Sequence, residues 1–154
     1  MTSPGSRRCS TGAGLLTVGV LEPARRGEPV AFRPPAWHEH NRAGAIEVPP
    51  GADLVIIEGA GAAREELMPL IDAVIWVQAD MVEAERRGIA RDGSDLAATA
   101  FWHLWMAEEL PFMARQHPWT RADIIVVGTP HIPHDPETEA VIATARPAPT
   151  SQAG

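Results

Sequence analysis

The sequence predicts an α/β fold built on a parallel sheet, and three short apolar runs carry that expectation. Leu54–Ile57 is branched and apolar and stops at Glu58 and Gly59; Ala73–Val77 repeats the pattern and stops at Gln78 and Asp80. Ala122–Val127 is the third run, stopped by Gly128. Runs this short and uniformly apolar suit strands buried on both faces of a parallel sheet. Between them lie segments of helical pattern, and strands alternating with helices indicate parallel crossover topology.

The elements follow in order. Residues 1–14 are expected to form a flexible leader, and Leu15–Arg26 a short helix weakened by Gly19 and Pro23. Val30–Trp37 is studded with proline and should be extended, with a turn at Arg42–Gly44 leading to Ala45–Val48. Pro49 and Pro50 deliver the chain into the first clear strand. Ala62–Ile71 can form a helix, and Asp80–Arg91 a stronger one. Asp95–Gln116 is the longest helical candidate, with Phe101, Trp105, Glu108 and Phe112 near helical spacing and Pro111 expected to kink or divide it. Residues 15–130 form the expected α/β domain. Residues 131–154 read as a proline-rich tail with at most one short helix, around Pro136–Ala145.

Composition excludes several functions. At 154 residues the chain is one domain or part of one, and a hydrophobic content of 45% is ordinary. No run approaches the roughly 18 uninterrupted apolar residues of a membrane span. A net charge of −7 argues against nonspecific nucleic-acid binding, which needs a basic surface. Cys9 is the only cysteine, so neither an internal disulfide nor a cysteine-based zinc site can form, and a cytoplasmic setting is expected. All 13 basic residues are arginine.

Several local features have two readings. His38-x-His40 and His131-x-x-His134 have the spacing of metal ligands, but no third ligand sits at a convincing distance in sequence, and no metal site is expected. Phe101, Trp102, Trp105 and Phe112 suit core and interface packing better than a base-stacking platform. Arg87 and Arg91, four apart, share one helix face. They can grip a triphosphate with their planar forks, or pair with Glu83 and Asp95 on a solvated surface. Glu58 stands where an acid reaches the carboxyl end of a buried strand, the side on which ligands bind such sheets.

Four segments in order resemble the uridine kinase branch of the P-loop kinases. GEPVAFRPPAWHEHNR at 27–42 resembles that family's substrate segment, and LVIIEG at 54–59 its strand with a terminal glutamate. ERRGIARDG at 85–93 resembles its arginine-bearing lid, and PFMARQHPWTRADIIVVG at 111–128 the approach to its last core strand. The resemblance implies an incomplete parallel P-loop-kinase-like sheet flanked by helices. It implies that Trp37 is the aromatic wall of a nucleoside site, His40 the residue contacting the base and Arg42 its basic companion. Glu58 would be the catalytic-site acid near magnesium, and Arg87 and Arg91 the lid over ATP. The cofactors implied are ATP and Mg, bound weakly or not at all.

The departures are specific. A phosphate loop needs GxxxxGK[ST], and these residues hold no lysine. The segment carrying the family's acceptor-activating aspartate is missing, and Pro35 and Ala36 stand at the tyrosine and aspartate positions of the substrate segment. A gene start placed too far downstream, a decayed remnant and a non-catalytic protein on a retained scaffold all fit. Two functions are therefore expected. One is a remnant or truncated ATP-dependent nucleoside or small-molecule kinase, inactive as written. The other is a non-catalytic binding protein meeting a partner protein, with homo-oligomerisation an additional expectation because a missing central strand leaves sheet edges open.

Overall fold

A computed structural model describes residues 12–145. The expected leader falls almost wholly outside that span. The chain is mixed α/β with two small sheets, and it divides into two compact units, residues 1–72 and 73–154.

The first unit starts with α1 (Gly12–Leu16), a π-helical turn at Thr17–Leu21, and α2 (Glu22–Arg25) with Pro23 in its first turn. The wide turn places Gly19 directly against the Phe32 ring, where any Cβ would overlap the aromatic carbons. β1 (Val30–Phe32) pairs antiparallel with β2 (Ile46–Val48). Between them α3 (Pro35–Glu39) forms a single turn with proline at its start, so the expected extended run ends at Pro34 and Trp37 lies on a helix. The core of this unit is Ala13, Leu21 and Leu67, with Leu16, Ile57, Leu70 and Ile71 packed around it. Leu67 is 1% exposed. It is held by a 3₁₀ helix, Glu65–Leu70, where the sequence suggested a longer α-helix; Pro69 inside it removes a backbone donor that an α-helix would use.

The expected buried strand at 54–57 does not form. Residues 54–58 belong to no sheet, and Leu54 and Ile56 are 76% and 79% exposed. Only Ile57 turns inward, onto the Leu67 cluster. Apolar composition makes a strand only when a second strand takes its backbone groups, and none of the described residues does so here.

The second unit is a three-stranded sheet with two helices. β3 (Ile75–Gln78) pairs parallel with β4 (Ile124–Val127), in register Ile75↔Ile124 to Gln78↔Val127. Asp123 fixes the start of this ladder: its N–H donates to the Val74 carbonyl at 2.8 Å and its carboxylate accepts from the Val74 N–H at 2.8 Å. The crossover is α4 (Met81–Arg91) and α5 (Leu96–Gln116). Both begin on aspartate caps, Asp80 accepting from Glu83 N–H at 3.0 Å and Asp95 from Ala98 N–H at 2.7 Å. Gly88 of α4 lies against the Trp102 ring of α5, closer than any side chain allows. α5 runs through Pro111 without dividing and ends where His117 turns left-handed (φ 44°) before Pro118.

The tail holds a strand where a helix was expected. β5 (Ile142–Ala145) pairs antiparallel with β4, with an irregularity between Ile125 and Val126. Thus β4 is the central strand and β3 an edge. β3 is half of what the sequence promised: Val74 is buried, but Ile75 and Val77 are exposed.

Candidate functional site

The carboxyl ends of the parallel pair β3–β4 point at a crevice of about 590 Å³. Its walls are Asp80, Glu83 and Arg87 from the start of α4, and Gly128, Thr129, Pro130, His131, His134 and Pro136 from the segment after β4. The geometry follows from the strands. Gly128 N–H donates to the Gln78 carbonyl at 2.8 Å, extending the ladder one residue past β4. Asp80 N–H then donates to Thr129 Oγ1 at 3.0 Å, tying the two loops together at the crevice floor. A Cβ at 128 would lie 3.0 Å from Val77 Cγ1 and 3.2 Å from Ala79 Cβ, so any larger residue there must push these neighbours slightly aside.

Charge in the crevice is arranged around Glu83. Arg86 and Arg87 each meet its carboxylate at 2.7 Å. Hydrogen bonding from Arg86, then from Arg87, holds the Glu83 pKa down at about 2. Arg87 also donates from Nη1 to the Gly128 carbonyl at 3.0 Å, which pins its guanidinium over the end of β4. The solvated pairing anticipated for Arg87 is therefore present, and it also orients the side chain along the crevice wall.

Arg91 goes elsewhere. It pairs with Asp92 at 2.8 Å, not with Asp95, which is occupied as a helix cap. It lines a separate hollow of about 420 Å³ with Asp92, Asp95, Ala97, Ala98 and Phe101. Arg87 and Arg91 share a helix but line different cavities.

The other candidates lie in the first unit. The Arg42 guanidinium stacks over the Trp37 ring at 4.1 Å, and Arg42 N–H donates to the Trp37 carbonyl at 2.8 Å. Arg33 Nη2 donates to the Arg42 carbonyl at 2.7 Å, bracing the loop. Trp37 and Arg42 are thus brought together as a cation–π plate. His40 closes α3 by donating its N–H to the Ala36 carbonyl, and its ring is exposed. Glu58 is exposed at the end of the unpaired segment, before the turn at Gly59.

The chemistry of the crevice does not suit a magnesium triphosphate. The Glu83 amide at the start of α4 is already taken by the Asp80 carboxylate, and Arg86 and Arg87 are neutralised by Glu83. Two carboxylates at the mouth would repel phosphate. Among the described residues no three His, Cys, Asp or Glu side chains converge as a metal ion requires. A neutral, hydrogen-bonding ligand fits better: Thr129 and the two imidazoles offer donors and acceptors, and prolines line the sides.

Sequence reasoning missed Thr129, His131 and His134 as site residues. Their signal was position: they directly follow an apolar strand ending in glycine, and segments after parallel strands line the ligand side of such sheets. Comparison with protein-family models, curated proteins and solved structures finds no match. Among the described residues no helix is long and apolar enough to cross a membrane.

Proposed function

We propose that this chain is a phosphotransferase-derived α/β protein of the uridine kinase branch, retaining a nucleoside-sized crevice and the arginine helix but not the machinery of phosphoryl transfer. One observation carries the reading: a parallel strand pair whose carboxyl ends open on a crevice of about 590 Å³, with Arg87 fixed across its wall. Ligands of open parallel sheets bind at that end. The order of segments, from the Trp37–Arg42 plate through Glu58 to Arg87 and Arg91, supports the same ancestry. The setting is cytoplasmic.

On this reading the chain binds the nucleoside end of ATP in the millimolar range and does not turn it over. Phosphoryl transfer depends on positioning and charge neutralisation, and oxyanion-type donors are each worth roughly 3 kcal/mol in the transition state. These residues contain no lysine, and the one arginine in the crevice is already paired with glutamate. Titration with adenosine and with ATP, followed by NMR, tests the reading. Shifts at Arg87, Thr129 and His131 that weaken in Arg87→Ala are expected, and adenosine should bind about as well as ATP. No shift at several millimolar of either ligand would remove the nucleotide reading, and magnesium-dependent turnover lost on Glu58→Ala would overturn the inactive one.

A second reading has its own observation. Leu54, Ile56, Ile75 and Val77 are exposed on strands or strand-like segments. Exposed apolar backbone edges recruit other chains, so a non-catalytic interaction protein is the alternative that a failed titration would leave standing.

A further inference from the structure

We propose that the corner between β1 and β2 is an oxyanion site, in which Arg33 and Arg42 hold the phosphate of a small soluble phosphomonoester. Arg25, Arg26, Arg86, Arg87 and Arg91 each meet a carboxylate within this chain. Arg33 and Arg42 meet none among the described residues, although Glu39 lies on α3 between them and Glu47 on the adjacent β2.

The backbone brings these two arginines to one place. Pro35 starts α3, His40 N–H closes it on the Ala36 carbonyl at 3.0 Å, and Asn41 turns left-handed at φ 50°. Asparagine is among the few residues that visit that region routinely. The chain thereby doubles back, so that Arg42 N–H reaches the Trp37 carbonyl at 2.8 Å and its guanidinium lies 4.1 Å over the Trp37 ring. Arg33 Nη2 then donates to the Arg42 carbonyl at 2.7 Å.

Each guanidinium is left asking for an anion. Stacking occupies the face of Arg42, whereas its N–H donors lie in the plane and leave at the edge. A fork whose plane is already fixed gives up less freedom when an oxyanion bridges it. Arg33 is half-buried, its Nε is shut from solvent with no hydrogen-bond partner, and Nη2 has only a neutral carbonyl. Desolvating a cation without a counter-charge is unfavourable, and two cations held at one corner repel. A phosphomonoester relieves both, because it carries close to two negative charges and three acceptor oxygens at neutral pH. A carboxylate offers one charge and two oxygens. No large apolar side chain from residue 33 to residue 53 stands exposed, so the corner has nothing to insert into a bilayer, and a soluble phosphate fits it better than a lipid headgroup.

The test is an NMR titration of the full 154-residue chain with inorganic phosphate and with glycerol phosphate at constant ionic strength. It is read at the arginine Nε–Hε signals and at the amides of residues 36–42. Saturating shifts at Arg33 and Arg42 are expected in the millimolar range, with acetate at least about fivefold weaker. Arg42→Lys keeps the charge but loses the fork, and should weaken phosphate about fivefold. Arg33→Gln should weaken it too, and the double variant should abolish it. Where Arg33→Gln disturbs β1–β2 pairing, Arg42→Lys and Arg42→Gln carry the test, because the hydrogen bonds that Arg42 gives to the turn come from its backbone. Arg115→Gln alters an exposed arginine on α5 without an ion pair among the described residues, and should change nothing. No shift at several tens of millimolar phosphate overturns the proposal. So do shifts that survive the double variant, and acetate binding equal to that of phosphate. Phosphatidate vesicles should sediment no more protein than phosphatidylcholine vesicles; a clear preference for phosphatidate overturns the soluble source. Adenosine carries no phosphate and should leave these signals still, so failure here and failure of the crevice reading are separate outcomes.

Discussion

Leu54–Ile57 and Ile124–Val127 are nearly interchangeable as sequences, and the protein treats them in opposite ways. The second is the central strand of its sheet, bonded on one side to β3 and on the other to β5. The first pairs with nothing among the described residues and leaves two of its large side chains in solvent. The difference is not propensity. A strand is a relation between segments, and burial follows from having neighbours on both edges rather than from being apolar.

The largest break in this comparison comes from proline. Ile125→Pro should unfold the second unit, costing roughly 3 kcal/mol or more through a lost backbone donor and steric clash in a central strand. Ile56→Pro should change the urea midpoint little. If both are equally damaging, residues 54–58 are paired after all. Gly88→Val comes next. Its side chain must displace the Trp102 ring, and overpacking of that kind costs about 1–3 kcal/mol. Loss of the near-ultraviolet tryptophan signal together with a lower urea midpoint would mark it.

A smaller effect is expected at the helix cap. Asp80→Ala removes the acceptor for Glu83 N–H and should cost about 1 kcal/mol. It should also loosen the crevice floor, seen as faster exchange of the residue-80 amide, which donates to Thr129 Oγ1. The pH response of Glu83 follows from its folded-state pKa, which is depressed to about 2 from an ordinary value of 4.5. Its contribution to stability is present above pH 4.5 and lost as pH falls toward 2. Glu83→Gln should flatten that part of the acid-unfolding profile; an identical profile would mean that the arginine pairs do not hold in solution. The smallest change is in the unpaired run. Leu54→Thr with Ile56→Thr should leave stability within about 0.5 kcal/mol, because neither side chain is buried. A large loss there would show that the segment packs against something.

Sequence reached the second unit more successfully than the first. Both long helices and the strand at 124–127 were legible because each carries a local cause, helical periodicity in the first two and an apolar run ended by Gly128 in the third; that Asp80 and Asp95 cap the helices was not read. What escaped was pairing. Nothing local in Ile142–Ala145 marks it as a strand; it is extended because the open edge of β4 accepts it. The site divided in the same way. Arg87 was legible from helical spacing, but Arg91 shares that spacing and faces another hollow, because Asp92 is one residue away and draws its guanidinium aside. His131 and His134 looked like solvated loop histidines until the β4–α4 arrangement gave that loop an address.

The position of β5 also bears on how the protein is made. β4 receives its second neighbour only from residues 142–145, and its first is joined to it through the whole of α4 and α5. Ile124–Val127 therefore leaves the ribosome ahead of the strand that covers its far edge. During that interval the most apolar segment of the second unit is available to chaperones or to neighbouring nascent chains. Yield in a cell should respond to chaperone supply and translation speed even where equilibrium stability is unchanged.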